Sequence, residues 1–283
     1  MVRLRTKLTL TLCMMIGLCL VFSTFSLGKW DNNVVYAASC DNPPPENRFP
    51  DLRTVVPQRL QIVNAHDREV LRLTNGIANT GIGVWQMVPV NPDVDTNDPQ
   101  KANQQFLDAN GNVVATCTTG SESVYHPAHK HFHISGVALF DVRIGSPTGP
   151  ILRVGDNGAT STKVTSCLID WVRLVGNSPD NERGYASCDS GVQGISPGWI
   201  DQYHMALEGQ SIDITGAKVD TYFLVSRANP DHFFIERNYN NNDAWVKFNL
   251  LRDSNGNPKI VITGNSGCDE DQPGLCGEKL PNR

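Results

Sequence analysis

Apolar and polar residues change places over short intervals through most of this chain, which is the period of half-buried strands rather than of helices. Glu69-Val70-Leu71-Arg72-Leu73 and Val246-Lys247-Phe248-Asn249-Leu250 carry the pattern, and Val137 to Val142, Tyr222-Phe223-Leu224-Val225 and Ile260-Val261-Ile262 are further strand candidates. Asn110-Gly111, between Phe106-Leu107 and Val113-Val114, predicts a type I′ hairpin. Asn255-Gly256 joins the 246–250 and 260–262 stretches into a C-terminal hairpin. Asp253-Ser254-Asn255-Gly256-Asn257 faintly resembles a calcium loop, but it lacks the closing glutamate and reads as the hairpin turn. Amphipathic helices are scarce, with Asp201 to Leu207 the one short candidate after Ser196-Pro197-Gly198. Short strands separated by Gly, Asn and Pro turns predict an all-β, sandwich-like domain with long loops and few short helices.

The N-terminus breaks this pattern. Arg3, Arg5 and Lys7 precede an apolar run from Leu8 to Leu27, and Val35-Tyr36-Ala37 fits a cleavage site. Residues 1–37 therefore read as a secretion signal, with an uncleaved membrane anchor as the alternative. The rest, 38–283, reads as one domain with a core over about 50–252 and a disulfide-clipped tail over 253–283, Gly-, Pro- and Asp-rich from 264 onward. Cys13 and Cys19 fall in the leader, which leaves Cys40, Cys117, Cys167, Cys188, Cys268 and Cys276. An even number in an exported chain favours disulfides. The short spacings suggest Cys268/Cys276 as a clip on the tail and Cys167/Cys188 as a second bridge, but spacing alone leaves the connectivity open. The net charge of −5 comes with no basic stripe, which excludes a typical nucleic-acid binder.

Four of the seven histidines lie between His126 and His133. His129, His131 and His133 recur at every second position, so a strand presents all three on one face. Imidazole suits copper, zinc, iron or nickel, and no carboxylate sits within the cluster to favour a two-His-one-carboxylate iron site. The outer Cα atoms of a straight strand would lie roughly 13 Å apart, whereas metal–nitrogen bonds are about 2 Å. A local bend or bulge must bring the rings together.

Tyr125-His126-Pro127-Ala128-His129-Lys130-His131-Phe132-His133 resembles the copper motif of lysyl oxidases, Trp-His-x-x-His-x-His-aromatic-His. Gln193-Gly194-Ile195-Ser196-Pro197-Gly198-Trp199-Ile200-Asp201-Gln202-Tyr203 resembles that family's Gln-Gly-Leu-Ser-Pro-Gly-x-x-Asp-x-Tyr run. Gln210 to Thr215, Asn229-Pro230 and Glu236 to Asn242 resemble later stretches in the same order, and Pro50-Asp51-Leu52 resembles the domain start. The resemblance implies a secreted copper amine oxidase that uses lysyl tyrosylquinone, a cofactor made from its own tyrosine and lysine. The tyrosine is then Tyr203. The lysine is Lys163, from Thr162-Lys163-Val164-Thr165-Ser166-Cys167-Leu168-Ile169-Asp170. Primary amines, either small or as lysine side chains of proteins, would be oxidised by dioxygen to aldehydes with release of hydrogen peroxide and ammonia.

Animal members carry a histidine past the copper motif where this chain has Leu139, which leaves Asp201, His204 and His126 as candidate bases. The resemblance also implies a calcium site from Asp51, the Leu52 carbonyl, Glu236, Asn238, Asn241 and Asn242, oxygen ligands that suit a hard cation. Asn238 stands where the family has an aspartate. The competing reading, motivated by Leu139, is an exported domain that binds copper or zinc without oxidising anything.

Overall fold

The alternating stretches become strands. The structure, a computed structural model, describes residues 39–91, 98–161, 165–174, 183–188 and 191–267. The expected leader, Lys163 and the Cys268/Cys276 clip lie outside these residues. In chain order the elements are β1 (Ser39–Cys40), a 3-10 turn (Glu46–Arg48), β2 (Leu52–Thr54), β3 (Gln58–Ala65), β4 (Arg68–Asn79), β5 (Trp85–Pro89) and β6 (Gln100–Leu107). They continue with β7 (Val113–His126), β8 (His131–Ser135), β9 (Ala138–Ile144), β10 (Arg153–Val154), β11 (Asn157–Gly158), β12 (Thr165–Ser166) and β13 (Val172–Arg173). The last are β14 (Gln193–Ile195), β15 (Trp199–Tyr203), β16 (Ser211–Asp213), β17 (Asp220–Ala228), β18 (Asp243–Arg252) and β19 (Pro258–Asn265). Among the described residues no helix is long and apolar enough to cross a membrane.

Among the described residues all pairings are antiparallel, in three larger sheets and one two-stranded ribbon, β10 with β11. The first sheet runs β12-β8-β7-β6-β5-β14, with β1 beside β7. The second runs β13-β15-β4-β16, and β4 also takes β2 and β3. The third is the meander β19-β18-β17-β9. β4 is the spine of the second sheet. Its first half pairs with β3 and β16, and its second half with β15 and β2. That second half, from Leu73 to Asn79, is buried throughout. β18 keeps a strict alternation of buried and part-exposed residues, as a strand covered on one face should.

One core joins the three sheets. Leu71, Leu73 and Ile77 of β4 meet Trp85 and Met87 of β5, Ile134 of β8, Phe140 and Val142 of β9, and Leu224, Phe248 and Leu250 of β17 and β18. Trp85 packs edge-on against Phe234 with ring centres 4.8 Å apart. Each such side chain contributes roughly 1.5–3 kcal/mol on burial. The all-β expectation holds, with three sheets around the core.

Two local expectations change, and the open disulfide pairing is resolved in part. The β6–β7 hairpin is present, but its turn is not type I′, which needs left-handed backbone at both Asn110 and Gly111. Only Gly111 has it, at φ +83°. Instead the Asp108 carboxylate accepts the backbone N–H groups of Asn110 and Asn112 at 2.8 and 2.9 Å, and the loop spans five residues. The helix expected over Asp201 to Leu207 is replaced by β15 and a single turn closed by Leu207 N–H to His204 O. Trp199, Ile200 and Asp201 are all buried, and their backbone is taken up by β4 and β13. Finally, Cys40 bridges Cys117, a pairing that spacing does not suggest, whereas Cys167–Cys188 pairs as expected.

Candidate active site

The bend demanded by the histidines is the turn between β7 and β8. His129 N–H and Lys130 N–H both donate to His126 O, at 3.0 and 2.7 Å, and Lys130 adopts φ +59°. The turn folds His129 back over β8, which carries His131 and His133 on one face. His129 Nδ1 lies 3.3 Å from His133 Nε2, and His131 Nε2 lies 3.1 Å from that same atom. Ligands on a tetrahedral centre with ~2.0–2.1 Å bonds stand about 3.3 Å apart, so the spacing fits three imidazoles sharing one cation. His126 completes the cluster by stacking on His129 and His133, with ring centres 4.8 and 4.9 Å away. On donor type alone the site suits zinc as well as copper.

Tyr203 ends β15 opposite Asn75 of β4. Its hydroxyl donates to Cys167 O at 2.7 Å and accepts from Cys167 N–H at 2.9 Å. Burial pushes the Tyr203 phenol well above its ordinary range, and the Asp201 carboxylate beside it adds to the effect. Asp201 is two residues earlier on the strand, buried, and on the same face. Cys167 continues through its disulfide to Cys188, and a ligand atom of His131 lies within 4.8 Å of both sulfurs. Metal-type histidines, disulfide and tyrosine are thus contiguous. A cavity of about 350 Å³ opens beside them, with Asp201, Tyr203 and His204 on one side and Ile169, Trp171 and Leu207 supplying an apolar wall.

Two residues without a role in the sequence reading hold these segments together. Gln193 is fully buried; its Nε2 donates to Phe132 O at 2.6 Å and its Oε1 accepts from Leu168 N–H at 3.2 Å. It ties the histidine strand to the Cys167 segment. Asp170, also fully buried, accepts from Ser196 N–H and Oγ at 2.7 Å each, and from Gly184 and Tyr185 N–H at 2.8 and 3.0 Å. It fixes the Ser196-Pro197-Gly198 turn, where Gly198 takes φ +78°. The available signal was a polar side chain set among apolar neighbours in each stretch.

Residues 104–255, more than half of the chain, match the family described as lysyl oxidase. The chain belongs to the lysyl oxidase family. It is 31% identical over 122 residues to lysyl oxidase homolog 1 of Homo sapiens, covering 42% of this chain and 19% of that protein. It is 28% identical over 119 residues to protein-lysine 6-oxidase of Sus scrofa, covering 42% of this chain and 43% of that protein. The chain therefore matches less than half the length of either relative. The lysyl oxidase match takes in His129, His131, His133, Lys163, Asp201 and Tyr203, and stops short of Asp51 and Leu52.

The second group expected from the lysyl oxidase resemblance assembles in part. The buried Glu236 carboxylate accepts from Leu52 N–H at 2.8 Å, from Asn229 Nδ2 at 2.6 Å and from Asn242 Nδ2 at 2.8 Å. Asp51 accepts from Asn241 Nδ2 and from Thr80 Oγ1. Asn238 is exposed, and its Oδ1 accepts from the N–H of Asn240 at 3.0 Å. Burial pushes Glu236 up to about 7, against the hydrogen bonds from Asn229, Asn242 and Leu52. The Oδ1 atoms of Asn241 and Asn242 are buried without a hydrogen-bond partner.

Proposed function

We propose that this chain is a copper-dependent amine oxidase that converts a primary amine, dioxygen and water to an aldehyde, ammonia and hydrogen peroxide. The observation that carries the reading is the convergence of His129, His131 and His133 one disulfide away from Tyr203, in a chain of the lysyl oxidase family. The three imidazoles would hold copper, which with dioxygen as the oxidant would convert Tyr203 and Lys163 to a crosslinked quinone, and that quinone would supply the carbonyl that takes up the amine and its two electrons. The chain's own residues do the rest. The Cys167 peptide holds the Tyr203 hydroxyl in one place. The phenol is neutral at pH 7 in any case, and burial and the Asp201 charge only reinforce that form. Asp201, buried beside Tyr203 and lining the same cavity, is the base for the proton on the carbon bearing the amine. Ile169, Trp171 and Leu207 pack against the alkyl stem of the substrate, whether a small amine or a lysine side chain.

Purified chain matured with copper and dioxygen should release peroxide from a primary amine and yield a Lys163–Tyr203 crosslinked peptide by mass spectrometry. Lys163→Arg and Tyr203→Phe should each abolish both signals while still binding copper. Stoichiometric metal with intact, uncrosslinked peptides would instead leave a metal-binding domain. Secretion through the 1–37 leader belongs to the same reading.

We also infer an oxygen-lined calcium site at Asp51, Glu236, Asn241 and Asn242. Two orphaned buried amide oxygens beside two carboxylates support it. Calcium should raise the melting temperature of the wild type but not of Glu236→Gln; an equal response in both would sink the idea.

A further inference from the structure

His131 faces sulfur as well as nitrogen. One ligand atom each from His131, Cys167 and Cys188 lies within 4.8 Å of the other two. While the disulfide is closed, the sulfurs are uncharged and poor ligands. Opening it takes two electrons from an external thiol, which also gives the two protons and becomes a disulfide, or from a phosphine, which becomes the phosphine oxide while water gives the protons, and it leaves two thiols. A soft cation then displaces those two protons and binds two thiolates, the donors that Cu(I) and zinc prefer. Cys167 and Cys188 both line the cavity of about 350 Å³, the side from which a small reductant and a metal ion would approach.

We propose that in the reduced chain Cys167, Cys188 and His131 form a second metal site for a soft d10 cation, exclusive of the three-histidine site. The exclusion follows from His131. A neutral imidazole offers one lone pair, because its other nitrogen carries a proton, so it serves one metal at a time. Closing the disulfide removes the two thiolates and leaves His131 to His129 and His133. The redox state of one bond thereby selects which of two adjoining sites holds the ion. Cys167 also carries the peptide that anchors the Tyr203 hydroxyl, so drawing its sulfur onto a metal loosens that anchor. The proposal goes beyond the oxidase reading and needs no quinone.

The test uses the full chain, stripped of metal, reduced with a phosphine and titrated without oxygen with Cd2+, whose thiolate complexes absorb in the ultraviolet. Reduced wild type should bind one more equivalent with this absorption than Cys167→Ser/Cys188→Ser, which controls for the remaining cysteines. His131→Ala should bind that equivalent about tenfold more weakly or worse, and His129→Ala should bind it as wild type does. The fold of both histidine variants is checked in the oxidised state, where the disulfide is intact. If the serine variant does not fold, the comparison of His131→Ala with wild type decides. The same absorption in wild type and the serine variant, or undiminished affinity in His131→Ala, would overturn the proposal. Failure of peroxide release alone would not touch it.

Discussion

Asp170 and Glu236 are both buried carboxylates held by hydrogen bonds from separate segments. Asp170 accepts four hydrogen bonds from two separate segments. Asp170→Asn places an amide where only acceptors are wanted, and stability should fall by ~1–3 kcal/mol. The yield of crosslinked Tyr203 should fall further than the urea midpoint implies, because Asp170 sets both the turn before β15 and the segment that holds the tyrosine. Glu236 is pushed up to about 7 from an ordinary value of 4.5. The folded state thus holds its proton more tightly than the unfolded chain does. The stability this confers is present below about pH 4.5 and is lost as pH rises through 7, a swing of ~3 kcal/mol. With divalent cations chelated, melting temperature should decline across that window in the wild type and stay flatter in Glu236→Gln.

At the scale of elements, one turn recurs. Asp108-Ala109-Asn110-Gly111-Asn112 and Asp253-Ser254-Asn255-Gly256-Asn257 close different sheets with the same contacts: the aspartate caps two backbone N–H groups, and glycine takes φ +83° or +81°. Gly111→Ala and Gly256→Ala should each cost about 1 kcal/mol through the left-handed backbone. The two losses should add within ~0.5 kcal/mol, since the turns share no partners; urea denaturation of the double variant checks this. Such hairpins were legible because Asn-Gly steps and alternation are local signals. Asp201 to Leu207 was misread because so short a stretch fits either period, and its backbone partner, β4, is more than a hundred residues away. A separation of 77 residues likewise hid Cys40–Cys117. The histidine bend was legible because reach alone requires it, while the roles of Asp170 and Gln193 exist only once three segments are packed together.

For the whole molecule, the two halves of the proposed site differ in how much folding they need. His129, His131 and His133 lie within five residues, so the unfolded chain retains some affinity for copper. Copper should then stabilise the fold by less than its affinity for the native state implies, because binding to the unfolded chain offsets part of the effect. Lys163 and Tyr203 lie 40 residues apart, and Tyr203 is set by β4 and by the Cys167 peptide. A covalent link across that interval restricts the unfolded chain by ~4 kcal/mol in the loop-entropy picture used for disulfides. For a domain of this size that is about 10 °C in melting temperature. Copper-matured wild type should therefore melt about 10 °C above copper-loaded Tyr203→Phe, and the gap should survive removal of the metal by a chelator. A gap that vanishes with the metal would place the stabilisation in the histidines alone and count against the crosslink.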